Sequence, residues 1–268
     1  MSTTKVAIVT GASSGIGEST ANRLVEAGYK VYGTSRKPSQ ASKKIELLKL
    51  DVCDDLSVEN LVADVIQRSG RIDLLVNNAG VGILGGAEES SISQAKAIFD
   101  TNFFGSVRMI QACLPHMRQQ KSGRIINLSS ILGRVPAPLS ALYSASKHAI
   151  EGYSESLDHE LRRFNIRSIL IEPAFTKTSF DQNNLPVDRE IQDYVEVRKK
   201  VIDFSKKAME SGGDSAEIVS AVILKAATDL NPHVRYTAGS AAFQMASMRR
   251  FLPEKVFDSI LRKTFQVE

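Results

Sequence analysis

Cysteine is scarce in this 268-residue chain: only Cys53 and Cys113 occur, far apart and outside any C-x-x-C pair. That excludes a disulfide framework and points to two reduced thiols in a cytoplasmic protein. The four histidines, His116, His148, His159 and His233, show no zinc-ligand spacing, so no metal site is expected. No apolar run approaches the roughly 20 residues that span a bilayer. The opening "MSTTKVAIVTG" runs into an apolar stretch of about five residues, too short for a signal-peptide core. Long basic stripes are missing too. The formal net charge is +4, with Lys and Arg interleaved among Asp and Glu, which argues against nucleic acid as a partner but leaves room for a small anionic ligand.

What is present suits a soluble folded protein: 43% hydrophobic and 24% charged residues, in a chain long enough to bury a substantial core. Short β-branched runs recur at "KVAIVT", "KVYGTS", "DLLVN", "RIINLS" and "RSILIEP", separated by helical periods such as "GIGESTANRLVEAG" and "SVENLVADVIQRSG". Parallel strands need a crossover of a dozen or more residues, so this alternation predicts an α/β fold, a single doubly wound parallel sheet flanked by helices.

After Pro173 the pattern changes. Residues 175–213 are polar and mostly helical, and an insertion at the carboxyl end of a strand is where a lid over an α/β site would sit. An apolar helix follows at 216–227. The C-terminal extension, about 240–268, carries Phe, Met, Leu, Val and Ile at helical spacing, with Arg249, Arg250, Lys255, Arg262 and Lys263 between them. Such a segment usually packs as a terminal helix, with contact to a membrane surface or a partner as the alternative.

In "VAIVTGASSGIGEST" a strand is followed by Gly11, Gly15 and Gly17 and then a helix. Glycines there let backbone approach a pyrophosphate, and the helix start offers unpaired N–H groups and the positive end of its dipole. The next strand ends in Ser35 and Arg36. A neutral residue and a planar cation at that place favour a 2′-phosphate, so NADP(H) is the expected cofactor, with NAD(H) as the alternative. Further along, Tyr143 precedes Lys147 by one helical turn, on one face. A phenol ordinarily titrates near 10, and a neighbouring ammonium stabilises its phenolate.

Other pieces stand in order between residues 5 and 178: "TGASSGIG" (10–17), Asp51 with Val52, "NNAG" (77–80), Asn102, "NLSS" (127–130), the Tyr143 and Lys147 pair, and "EPAFTKT" (172–178). Together they resemble the short-chain dehydrogenase/reductase family, whose Rossmann-type fold agrees with the alternation above. The resemblance implies an oxidoreductase that moves a hydride between nicotinamide and a carbonyl or secondary alcohol. It implies a catalytic set of Asn102, Ser130, Tyr143 and Lys147. Tyr143 would protonate the carbonyl oxygen, Ser130 would polarise it, Lys147 would also hold the nicotinamide ribose, and Asn102 would anchor a water relay.

The same resemblance places Gly11, Ser13, Ser14, Gly15, Ile16 and Gly17 on the cofactor, with Asp51 at the adenine and Val52 beside it. It places Asn78, Ala79 and Gly80 along the dinucleotide, and Pro173, Thr176 and Thr178 at the nicotinamide. Ser129 competes with Ser130 for the polarising role, although alternation turns it to the other side. His148 lies about 100° round the helix from Lys147 and should face elsewhere. Ala174 stands where the family commonly has glycine, which raises the prospect of a restricted turn.

Stretches around "NAGVGILGGAEESS" and "ASKHAIEGYSESL" are similar to the branch that holds 17β-hydroxysteroid and retinol dehydrogenases. Residues 81–84, 132–139 and the segment from Phe175 onward are mostly apolar and would line a pocket for a hydrophobic carbonyl or alcohol. Family resemblance also implies a homodimer or homotetramer built through the helix with Ala145, Ala149 and Gly152. Two alternatives stay open: a catalytically silent dinucleotide-binding regulator, and a cofactor-independent enzyme on the same scaffold.

Overall fold

The β-branched runs do become strands, and they pair into one sheet. A computed structural model describes residues 4–38, 45–180 and 184–266. In chain order the first half comprises β1 (Val6–Val9), α1 (Gly15–Glu26), β2 (Lys30–Ser35), β3 (Glu46–Lys49), α2 (Asp55–Ser69), β4 (Leu74–Asn77), α3 (Ile92–Phe99) and α4 (Gly105–Gln120). Then follow β5 (Gly123–Leu128), α5 (Ala141–Leu161), β6 (Ile166–Pro173), β7 (Thr176–Lys177), α6 (Val195–Gly212), β8 (Asp214–Ser215), α7 (Ala216–Thr228), β9 (Arg235–Ala238), α8 (Ser240–Phe251) and α9 (Glu254–Phe265).

The main sheet runs β3-β2-β1-β4-β5-β6-β9, and all of its pairings are parallel. Helices cover both faces. Along β1, Ala7 and Val9 join one cluster with Leu24 of α1 and Val219 and Ile223 of α7. Val6 and Ile8 join the other, with Leu61 of α2, Met109 of α4 and Leu157 of α5. This period-2 split is why β1 reads as a continuous apolar run: it is buried on both sides. Each buried Val, Leu, Ile or Met side chain among them contributes about 1.5–3 kcal/mol.

The chain order reverses between β1 and β4, and a crevice opens at the carboxyl ends of strands there. A second, two-stranded patch pairs β7 with β8. The polar insertion thus leaves and re-enters the fold at neighbouring points. It is also tied down midway, where the buried Glu89 carboxylate accepts from Gly86 N at 2.6 Å and Ile191 N at 2.8 Å and pairs with Arg198 of α6.

Two strands of the main sheet, β3 and β9, fall outside the runs picked out in the sequence. Each has four residues, and β3 is exposed at both ends. The C-terminal extension packs as α8 and α9, with Phe257 and Phe265 buried. No described helix is long and apolar enough to cross a membrane.

Candidate active site

A cleft of about 950 Å³ opens along the carboxyl edge of the sheet. Its floor is the turn after β1. Gly11 (φ +65°) and Gly15 (φ +57°) occupy the left-handed region that favours glycine. The Ser14 side chain makes no capping hydrogen bond, so the first N–H groups of α1 face the cleft without a side-chain partner from that residue. Gly17 serves otherwise. A Cβ there would sit 2.2 Å from Gly11 O, so its absence lets helix and turn touch. Gly17 is not part of the cleft wall, unlike Gly11, Ser13, Ser14, Gly15 and Ile16.

Asn78 holds this turn to β4. Its Nδ2 donates to Thr10 O at 2.9 Å and Gly11 O at 3.1 Å, while Asn78 N and Ala79 N both donate to Thr10 Oγ1 at 2.9 Å. Ala79 and Gly80 continue along the cleft, as do Ser35, Arg36, Asp51 and Val52 at its far end. Arg36 is exposed, and Lys37 beside it also lines the wall, a second cation that the sequence reading passed over. The capping role at the start of α2 belongs to Asp54, which accepts from Leu56 N and Ser57 N. Asp51 accepts instead from Cys53 N at 3.0 Å at the cleft edge.

Helix α5 brings Tyr143 and Lys147 to the middle of the cleft. A buried chain fixes that helix, in which Asn77 Nδ2 donates to Asn127 Oδ1 and Asn127 Nδ2 donates to Ser154 Oγ, both at 2.8 Å. The Lys147 ammonium lies 5.6 Å from the Tyr143 ring centroid and donates to Leu128 O at 2.7 Å. Burial pushes Lys147 down to about 8, opposed by the negative charge of Glu151 one turn on.

Ser130 caps a short turn by accepting from Leu132 N at 3.1 Å, and it lines the cleft with Tyr143 and Lys147. Ser129 touches the cleft as well, so alternation separates the two serines only in part. Its hydroxyl is directed to Ser130 O at 3.4 Å and lies 2.6 Å from where a Cβ on Gly133 would be.

Asn102 sits behind the wall instead of on it. It lies in a π-helical turn, Asp100–Phe104, between α3 and α4. Its amide exchanges hydrogen bonds with Val81 N at 2.8 Å and Val81 O at 2.9 Å, and donates to Ser146 Oγ at 3.1 Å. It thereby links the strand-end loop to α5 one residue before Lys147. His148 is exposed, with Nδ1 2.9 Å from Ser144 O, and does not line the cleft.

Pro173, Thr176 and Thr178 close the other wall. The Thr178 side chain would be 3.1 Å from a Cβ on Gly15, so this loop rests on the glycine turn. Ala174 is absent from the positive-φ residues, and the alanine therefore imposes no strain. Val81, Leu84, Leu132, Ala137, Phe175 and Phe180 line the apolar side, as expected, and α6, α8 and α9 add a further wall. The described residues contain no cluster of His, Cys, Asp or Glu able to hold a metal ion.

A group of buried charges lies behind Lys147. Arg235 Nε is 2.7 Å from Glu151 Oε2 and 3.1 Å from Glu172 Oε1, and Arg134 reaches Glu172 Oε2 at 3.3 Å. Burial and the nearby Glu151 charge push Glu172 up to about 7, against the pull of the two guanidinium groups. The sequence reading missed this cluster, whose members come from α5, β6, β9 and the turn after β5.

Residues 5–188 match the family model described as short chain dehydrogenase. A 3-ketodihydrosphingosine reductase from Bacteroides thetaiotaomicron is 38% identical over 261 residues, covering 96% of this chain and 97% of that protein. Among solved structures, a short-chain dehydrogenase from Streptomyces avermitilis superposes with a TM-score of 0.83 at 30% identity, covering 99% of this chain and 97% of that one. A Burkholderia phymatum short chain dehydrogenase/reductase in complex with NAD gives 0.80 at 25% identity, covering 93% and 95%. A serine dehydrogenase complexed with NADP+ gives 0.76 at 25% identity, covering 88% and 95%. The fold, the ordered motifs and these likenesses agree: the chain belongs to the short-chain dehydrogenase family of oxidoreductases.

Proposed function

We propose that this protein is an NADP(H)-dependent oxidoreductase that interconverts the carbonyl and secondary alcohol of a hydrophobic small molecule. One observation carries the reading: Tyr143, Lys147 and Ser130 line a single cleft with the glycine turn and Arg36.

The cleft fits a nicotinamide dinucleotide. The turn is left-handed at Gly11 and Gly15 and its helix start is not capped by Ser14, which suits a pyrophosphate. Ser13, Ser14, Gly15 and Ile16 would hold the phosphates, Ser35 and Arg36 the 2′-phosphate, Asp51 and Val52 the adenine, and Asn78, Ala79 and Gly80 the segment between. Pro173, Thr176 and Thr178 would hold the carboxamide. When bound, the nicotinamide supplies or accepts the hydride.

The rest is done by side chains. Ser130 Oγ donates to the substrate oxygen, and the Tyr143 hydroxyl gives that oxygen its proton in reduction or takes it back in oxidation. Lys147 has one carbonyl partner, Leu128 O, and its remaining N–H groups are available to a ribose. Its charge lowers the energy of the phenolate. Asn102 acts as a positioning residue through Ser146 and Val81.

Residues 175–213 form the lid in this reading, anchored by the β7 and β8 pairing and by Glu89. Residues 1–268 form one dinucleotide-binding domain. The exposed small face of α5, with Ala145 and Gly152, suits pairing with a second copy. The free thiols of Cys53 and Cys113 fit the cytoplasm. NADPH fluorescence titration tests the foundation: saturable binding is expected, weakened by Arg36→Asp, and absence of binding would overturn the reading.

A further inference from the structure

Helix α9 presents a charged face and a mostly apolar one, with Val256 and Thr264 exposed. Lys255, Asp258, Arg262 and Lys263 are exposed. Phe257, Ile260, Leu261, Thr264 and Phe265, at helical spacing i, i+3, i+4, i+7 and i+8, all line the cleft that holds Tyr143 and Ser130. A helix docked only for packing would bury this stripe on protein. Here Phe257 and Phe265 are buried, Phe257 in a small cluster that Leu261, Met245 and Met248 pack against, while Ile260 and Leu261 stay half-buried along the cleft.

Opposite them stand Phe204 and Met209 of α6, and Met245 and Met248 of α8. Phe175, in the loop after β6, stacks edgewise on Phe204 at 6.0 Å, and Phe204 on Phe265 at 4.8 Å. An aromatic row thus leads from the Pro173 loop to α9. Among the described residues of α6, α8 and α9 that line the cleft, the polar ones are Ser205 and Thr264.

We infer that this chamber binds an unbranched hydrocarbon chain attached to the reacting carbonyl or carbinol, and that α9 sets how long a chain is accepted. This rests on the redox reading above and names its substrate class. Continuity with the cleft fixes the occupant as part of the substrate. The three methionines favour a flexible chain over a rigid polycycle, because thioether side chains reshape around a pliable ligand. From Phe257 to Phe265 the helix rises about 12 Å, room for roughly nine carbons.

The test is a series of methyl ketones from butan-2-one to tetradecan-2-one, read twice: as kcat/KM with NADPH, and as affinity for the enzyme with NADP+ by calorimetry. Both should rise about fourfold per added methylene, as burial of about 0.8 kcal/mol per CH2 requires, and then level off when the chamber is full. Leu261→Trp should move the plateau to shorter chains. If that variant fails to fold, the series on the unsubstituted protein decides alone.

Affinity independent of chain length, or tighter binding of a rigid polycyclic ketone than of any linear one, would overturn the inference. Chain-dependent affinity without turnover would retain the chamber and overturn the redox reading. Turnover without chain dependence would do the reverse.

Discussion

Replacing Glu151 by glutamine should move the alkaline limb of the pH–rate profile to lower pH. Lys147 is buried, and burial brings its ammonium to about 8 from an ordinary 10.5, with Glu151 holding it up. Residues one helical turn apart have Cβ atoms about 5–6 Å apart. At roughly 6 Å and an effective dielectric constant of about 20, the attraction is near 2.8 kcal/mol, about two pH units. Arg235, 2.7 Å from the Glu151 carboxylate, cancels part of that. Arg235 also pairs with Glu155 and with Glu172, which Arg134 reaches as well, and Lys147 lies 5.6 Å from the Tyr143 ring centroid.

The net expectation is a shift of about one unit, or roughly 1.4 kcal/mol. Above the pH at which Lys147 loses its proton, Tyr143 loses its stabilising cation. Ketone reduction should therefore fall above about pH 8 in the unsubstituted enzyme, and about one unit earlier in Glu151→Gln. Glu151→Asp, which keeps the charge, should return the limb toward its original place. The assay is kcat for NADPH consumption between pH 5 and 10, with circular dichroism to confirm folding. An alkaline limb that stays within about 0.3 unit in a folded Glu151→Gln protein would refute the coupling.

Three more outcomes follow from the same geometry. Arg36→Asp should lower the NADPH to NADH ratio of kcat/KM by about 10- to 100-fold, the worth of a charge-assisted contact; an unchanged ratio would remove Arg36 from the phosphate site. Gly17→Ala places a Cβ 2.2 Å from Gly11 O and 2.5 Å from Asn78 Nδ2, so urea unfolding should show a loss of about 1–3 kcal/mol, and NADPH affinity should drop with it. Glu172 has a folded value of about 7, above its ordinary 4.5; its contribution to stability is complete below the lower value and is lost as pH rises through the upper one. The Tm of the unsubstituted protein should therefore decline across that window, and Glu172→Gln should flatten the decline.

How much of this was readable beforehand differs from element to element, for physical reasons. The run "VAIV" announces β1 because it is buried on both faces, and the glycine turn follows because Gly11 and Gly15 need positive φ. Strand β3, exposed at its ends, carries no comparable periodic signal. Ser130, Tyr143 and Lys147 were legible through order and spacing, and they do converge. Gly17 and Asn102 were legible as motif positions, yet both lie behind the wall, where one permits a close approach and the other ties a loop to α5. The Glu151, Glu172 and Arg235 cluster was hidden because it joins residues 84 positions apart. The stripe on α9 could be seen as amphipathic, but the surface it faces is decided only by tertiary packing.

Tyr143 is the centre of the account, and Tyr143→Phe tests it most directly. The substitution removes the hydroxyl proposed as the proton donor and keeps the ring, which packs 6.1 Å from Phe180. With a linear hydrophobic ketone and saturating NADPH, kcat should fall by about 10²- to 10⁴-fold, the usual worth of a positioned general acid, while NADPH affinity by fluorescence titration stays within a few fold. Equal kcat in the two proteins would contradict the assignment of Tyr143 as the proton donor.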